Sequence, residues 1–168
     1  MRFRNFCFIV LCLFVGCSYY NFSGSLPGHI KTAAVPLFQN ETPEVDIVES
    51  VTDAIEKAII DNGSMRIVGE FQADAVVDGI IVDVIDEADS YSRDEKADQF
   101  RIRIIAHVKF FDRVKNSDIW EEKNLEGWAR YDASGSSTGE ESLTREEAKE
   151  EAIKMLAKEI IDKTVTGW

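Results

Sequence analysis

The sequence predicts an α+β fold, a two-layer sandwich with two helices packed on one face of a four- or five-stranded mixed or antiparallel sheet. Three observations predict it. Two segments, 42–62 and 144–163, carry apolar residues at helical spacing between start and stop signals. The segments around them are rich in Val, Ile and aromatic residues and read as strands. The resulting order is β-α-β-β-β-β-α, and two amphipathic helices can cover only one face of such a sheet. The other face is left for solvent or for a partner.

The chain opens with Arg2 and Arg4, an apolar run from Phe6 to Val15, and then Gly16-Cys17. That is the layout of a secretory signal: a basic start, a short apolar core and small residues at a cut site. The run is too short to cross a bilayer, which takes about 20 apolar residues. Leu13-Phe14-Val15-Gly16-Cys17 resembles the bacterial lipobox, in which cleavage precedes a cysteine acylated on sulfur. The expected organisation is a signal peptide over 1–16, a lipidated tether over 17–29 and one domain over 30–168. Cleavage removes Cys7 and Cys12 and leaves Cys17 alone, so the mature chain forms no internal disulfide. Ser18 stands where an Asp often retains such proteins at the inner membrane, which favours the outer membrane. The sequons at Asn21 and Asn40 have no role in a bacterial lipoprotein.

Each element of the domain has its own signal. Ile30 to Phe38 is apolar and reads as a strand, with Pro36 pointing to an edge or a bulge near its end. Thr42-Pro43 reads as a helix start, with Thr42 at the N-cap and Glu44 and Asp46 near the positive end of the dipole. Ile47, Val48, Val51, Ile55, Ala58 and Ile59 form its apolar stripe, and Gly63 ends it. Met65 to Val68 is a short strand. Ala73 to Ile85 has apolar residues on both parities, as expected of a central strand covered on both faces for part of its length. Residues 86–98 read as a charged loop. Gln99 to Asp112 alternates, with Phe100, Ile102, Ile104, Ala106, Val108 and Phe110 on one face. A strand over about Ile119 to Tyr131 follows, then a Gly/Ser-rich loop from Asp132 to Gly139. Thr144-Arg-Glu-Glu147 fits a capping box ahead of a helix whose stripe is Ala148, Ala152, Met155, Leu156 and Ile160.

The formal charge is -12, and loss of Arg2 and Arg4 takes it to -14. Such a chain is poorly suited to nucleic acid or to lying on an anionic membrane by charge alone, which leaves the membrane work to the acyl anchor. Catalytic signals are absent: there are two histidines, and no HExxH, P-loop or GxSxG motif. No catalytic residue, metal ligand or cofactor is expected.

Residues 17–42 read CSYYNFSGSLPGHIKTAAVPLFQNET. The lipid-bearing cysteine with Tyr-Tyr, then Phe-Ser-Gly-Ser-Leu-Pro, His-Ile-Lys-Thr and an Ala-Val-Pro-Leu-Phe strand, closely resembles the LptE-type lipopolysaccharide-assembly lipoproteins. The later layout is similar in architecture: the Ala-Asp-Ala-Val-Val-Asp-Gly strand, the long alternating strand, the Trp120 strand start and the final helix. The resemblance implies a non-enzymatic outer-membrane protein, lipid-anchored on the periplasmic side. It would lodge in an LptD-type β-barrel and assist insertion of lipopolysaccharide (LPS) into the outer leaflet. The rival is a lipoprotein that regulates a cell-wall synthase. The tether from Cys17 to Ile30 reaches about 45 Å when extended, which keeps the domain near the membrane and favours the barrel partner.

Two surfaces are candidate sites. Arg101, Arg103, His107 and Lys109 share the outward parity of the long strand and form a basic stripe suited to lipid A phosphates. Cross-strand pairing with Glu122, Glu126 or neighbours explains the same stripe without a ligand. Trp120 and Trp128 share a parity and, with Phe111 and Tyr131, suggest an aromatic patch against a barrel wall. Core packing accounts for at least half of these four aromatics. The acidic residues between Asp86 and Asp98 do not follow the spacing of a calcium loop and read as a solvated segment.

Overall fold

The computed structural model describes residues 26–91, 97–132 and 143–166. The expected signal peptide, Cys17, most of the expected tether and most of the expected Gly/Ser-rich loop lie outside the described residues. The elements are β1 (Thr32–Ala34), β2 (Gln39–Asn40), α1 (Ile47–Asn62), β3 (Arg66–Ile67), a 3-10 turn (Glu70–Gln72), β4 (Ala75–Tyr91), β5 (Ala97–Asp112), β6 (Ser117–Asp132) and α2 (Arg145–Thr166). The sheet runs β3-β1-β4-β5-β6, and β2 pairs with β4 beyond β1. Pairings among β1, β2, β3 and β4 are parallel, whereas β4, β5 and β6 form an antiparallel meander. Both helices lie on one face, so the predicted mixed sheet with an open side is the observed one.

The predicted first strand is split. β1 and β2 both align with β4, and the chain between them, including Pro36, leaves the ladder. Proline has no N–H to give a ladder. Ile30, Val35 and Phe38 nevertheless point into the core. Helix α1 starts at Ile47 rather than at Thr42. Asn40 explains the delay: its Oδ1 accepts from the Thr42 N–H at 2.9 Å and the Thr42 hydroxyl at 2.8 Å, and its Nδ2 donates to the Glu44 carbonyl at 2.9 Å. That polar turn satisfies the backbone locally and competes with a helical start. Asp46 takes the cap position without a side-chain bond. Gly63 ends the helix as expected, with φ 70° and its N–H shared by the Ile59 and Ile60 carbonyls at 3.1 Å.

The charged segment from Asp86 is not a loop: β4 continues to Tyr91 and β5 begins at Ala97. Its carboxylates are paired across the fold. Asp86 accepts from Arg145 at 2.8 Å, Glu87 faces Arg103 at 3.7 Å, and Asp89 binds both Arg101 and Arg130. A run of acids reads as solvated only while its distant cations are unseen.

Inward residues of β5 meet the helices: Ile102, Ile104, Ala106, Val108 and Phe110 are fully buried. From α2, Ala148, Ala152, Ile153, Leu156, Ala157 and Ile160 pack back onto them. Met155, expected in that stripe, is 42% exposed and lies over the sheet margin, where its Sδ accepts from the Trp128 N–H at 3.4 Å. The capping box forms as predicted. Glu147 accepts from the Thr144 N–H at 2.8 Å, and the Glu147 N–H donates to the Thr144 hydroxyl at 3.3 Å.

Trp120 and Trp128 lie on opposite faces, contrary to the parity argument. Ala106 pairs with Leu125 but Val108 pairs with Glu122, so β6 carries one extra residue between them. A single inserted residue exchanges the two faces. Trp120 therefore points inward, 8% exposed, with its ring 6.3 Å from that of Phe110. Glu122 also turns to the helix side and pairs with Lys163 at 3.2 Å.

Candidate functional site

The open face is carried by the outward residues of β4, β5 and β6. Arg101, Arg103, Ile105, His107, Lys109 and Phe111 project there from β5, all half-buried. Trp128 and Arg130 join them from β6. The predicted basic stripe exists as a geometric row, and every member faces a carboxylate. Arg103 donates to Glu126 at 2.6 Å and sits 3.7 Å from Glu87. His107 bonds Glu121 at 2.8 Å, and Lys109 lies 3.9 Å from Asp118. The hydrogen bond and charge of Glu126 hold the Arg103 guanidinium pKa above its ordinary value. Strand pairing is the cause of this neutralisation. The pairs Lys109↔Glu121 and Ile105↔Glu126 place acids on β6 beside the cations of β5.

The arrangement differs at the distal end, near the β4–β5 hairpin. There, among the described residues, Asp89 alone pairs with both Arg101 and Arg130. Both guanidiniums stack on Trp128, with Arg101 at 4.9 Å and Arg130 at 5.3 Å from the ring centre. Arg101 Nε is buried without a hydrogen-bond partner among the described residues. The register pair Arg101↔Arg130 sets this up, and Asp89 reaches both because it is the extra residue at the β4 irregularity between Ala88 and Ser90. Arg130 and Asp89 were not singled out from the sequence. The signal that could have found them is the like-charge pair Arg101↔Arg130, visible only once the register is known. Of the two expected aromatic contacts, Trp128 is on this face and Trp120 is in the core.

The same end is braced on the helix side. Arg145 binds Asp86 and Glu44, each at 2.8 Å, and these contacts raise its pKa. The Tyr131 hydroxyl donates to Asp86 at 2.9 Å, and its pKa is raised by burial and by that carboxylate. The Tyr131 ring stacks on Phe100 at 5.5 Å. The outer side of the helix layer carries a groove of about 530 Å³ floored by Ala54, Ala58, Ala157 and Ile161. Among the described residues no cluster of His, Cys, Asp and Glu could hold a metal ion, and no helix is long and apolar enough to cross a membrane.

The fold is shared with solved structures. Protein XCC0632 from Xanthomonas campestris superposes with a TM-score of 0.56 at 10% identity, covering 84% of this chain and 89% of that one. The PelC dodecamer from Paraburkholderia phytofirmans gives a TM-score of 0.51 at 15% identity, covering 86% and 96%. A minor lipoprotein from Acinetobacter baumannii gives 0.50 at 11%, covering 80% and 91%. At such identities the likeness is one of fold. No curated protein matches the sequence. The family model for LptE, lipopolysaccharide-assembly, matches residues 30–164, from the buried Ile30 ahead of β1 to the buried Thr164 of α2. With residues 30–164 matched, this chain belongs to the LptE lipopolysaccharide-assembly family.

Proposed function

We propose that this chain is an outer-membrane lipoprotein, acylated at Cys17, that partners an LptD-type β-barrel and assists insertion of LPS into the outer leaflet. The family match over residues 30–164 carries this reading. Two features of the chain support it. The tether is short, and the sheet offers a large face that neither helix covers. The role is structural, with no step of chemistry assigned to any residue. Trp128 is the aromatic contact offered on the open face.

The LPS contact we propose is the stripe of Arg101, Arg103, His107 and Lys109, entered at its distal end. There, among the described residues, Arg101 and Arg130 share the carboxylate of Asp89. A phosphate arriving at this pair finds two planar donors already oriented by Trp128. Farther along, phosphate would have to displace Glu126, Glu121 and Asp118, so binding there proceeds by exchange of ion pairs.

Affinity purification of the lipidated protein from outer membranes in mild detergent tests the partner. A stoichiometric large β-barrel is expected. A cell-wall synthase, or a lone homo-oligomer, would overturn the reading. For the contact, Arg101→Glu/Arg103→Glu should weaken LPS binding by an order of magnitude or more, while Asp89→Asn should strengthen it. Unchanged LPS binding in both folded variants would remove the stripe as the site.

A further inference from the structure

Met155 stands apart from the other apolar residues of α2. Of the three methionines, Met1 lies in the expected signal peptide and Met65 is 4% exposed in the core. Met155 is 42% exposed, the one methionine open to solvent among the described residues. Its place follows from the packing of α2 on β6. The Ala152 carbonyl and the Leu156 nitrogen lie over Gly127, so helix and strand meet there backbone to backbone. The Met155 side chain, next to Leu156 in the helix, runs over the sheet margin to the residue after that glycine.

Strand β6 closes the sheet, with no further strand beside it among the described residues. Two of its N–H groups find partners on the helix side instead. The Trp128 N–H donates to Met155 Sδ at 3.4 Å, and the Asp132 N–H donates to the Leu143 carbonyl at 3.3 Å. These bonds blunt an edge that would otherwise recruit another strand. A thioether sulfur is a weak acceptor, so the bond at Trp128 is the weaker of the two. On the open face the Trp128 ring carries both Arg101 and Arg130. One residue of β6 thus meets an exposed sulfur through its backbone and two guanidiniums through its indole.

We propose that Met155 is a site of reversible oxidation that acts on the β6 edge at Trp128. The sulfur has two lone pairs. One accepts the Trp128 N–H, and the other is left to solvent. A peroxide reacts at the second: the lone pair attacks one peroxide oxygen, and the S–O bond forms as the O–O bond breaks. The hydroxide that leaves takes the proton from the transferred oxygen and becomes water. Sulfur loses two electrons, the peroxide gains them, and the product is methionine sulfoxide. Because the lone pair facing Trp128 is covered, oxygen arrives on one side of the sulfur and one sulfoxide epimer predominates. The added oxygen draws density from sulfur, whose remaining lone pair holds the Trp128 N–H less well. Oxidation therefore loosens β6 at the residue that carries the guanidinium pair. The core stays intact, since Met155 is not part of it. A methionine sulfoxide reductase restores the thioether: its cysteine thiols supply two electrons and the oxygen leaves as water.

The test treats the full chain, in mild detergent, with hydrogen peroxide. Mass spectrometry of the peptides bearing Met65 and Met155 follows the gain of oxygen, and amide hydrogen exchange follows Trp128. Met155 should oxidise on the order of ten-fold faster than buried Met65, and the difference should vanish in denaturant. Each of the two reductase classes acts on one epimer. One class should clear nearly all the sulfoxide formed on the folded protein, whereas both are needed after oxidation in denaturant. Exchange at Trp128 should quicken about five-fold, the loss of one weak bond, while the core amides of Ile102 and Ile104 hold theirs. Met155→Leu, a swap of similar volume, should show the quicker exchange from the start and no response to peroxide. Equal oxidation of the two methionines in the folded protein, or an equal mixture of epimers at Met155, overturns the exposed lone pair and the proposal with it. An oxidised Met155 with unchanged or slower exchange at Trp128 overturns the link to β6.

Discussion

At Asp112, 1% exposed, burial pushes the carboxyl pKa up, but the Lys115 N–H, His29 and the Val114 N–H together bring it below the ordinary value of 3.8. Asp74 is lowered as well, by the N–H groups of Lys31 and Thr32 and by the Thr32 hydroxyl. Both carboxylates hold the entering segment at residues 29–32 against the strands. A carboxyl whose folded pKa is depressed adds stability that is complete above the unfolded value and is lost as pH falls through the folded one. The domain should therefore lose stability as pH drops below about 4. Asp112→Asn should cost about 1–2 kcal/mol at neutral pH, since it weakens a buried bonded network, and should flatten the acid limb. Denaturant midpoints across an acid titration measure both, and an unaltered acid limb would show that Asp112 does not link folding to protons.

The packing of α2 on β6 depends on one glycine. A Cβ at Gly127 would run into the Ala152 carbonyl and lie 2.6 Å from the Leu156 backbone nitrogen, so helix and strand touch backbone to backbone there. Gly127→Ala should destabilise by about 3 kcal/mol or more, the upper range for overpacking, because rigid backbone cannot step aside as a side chain can. Thermal melts would check this, and a loss under about 1 kcal/mol, the low end of that range, would mean that α2 can shift. The same element shows how far the sequence could be read. Alternation along β5 gave its buried face from Ile102 to Phe110 directly, and Thr144 with Glu147 marked the start of α2. Both signals are local. The faces of β6 were not legible, because the extra residue between Glu122 and Leu125 inverts parity without any marker in the sequence. The start of α1 was misplaced because Asn40, two residues before Thr42, takes the polar groups that a cap would use. The carboxylate partners of Arg101, Arg103, His107 and Lys109 come from neighbouring strands, so the cancellation of the stripe emerged only from register.

Across the whole molecule the helix layer and the sheet enclose one core, running from Ile30 ahead of β1 to Ile161 near the end of α2. The domain's two ends differ. One receives the N-terminal segment and bears exposed Lys31, Arg66, Arg113 and Lys115, whereas at the other Arg145 joins Asp86 and Glu44, and Asp89 joins Arg101 and Arg130. On the function proposed above, the anchor segment enters at the first of these ends and the LPS contact lies at the second. Cys17 lies ahead of Ile30, the first core residue described, so its acylation is expected to be independent of folding. Cys17→Ala should abolish fatty-acid labelling and membrane retention while leaving the melting temperature of the domain unchanged, because the described core begins at Ile30. Radiolabelled palmitate, membrane fractionation and a thermal melt on the same variant measure the three effects. Retained label would refute the lipobox reading. A lowered melting temperature would instead show that the anchor segment packs on the domain, and the polarity of the molecule would then be built into its fold rather than imposed by the lipid.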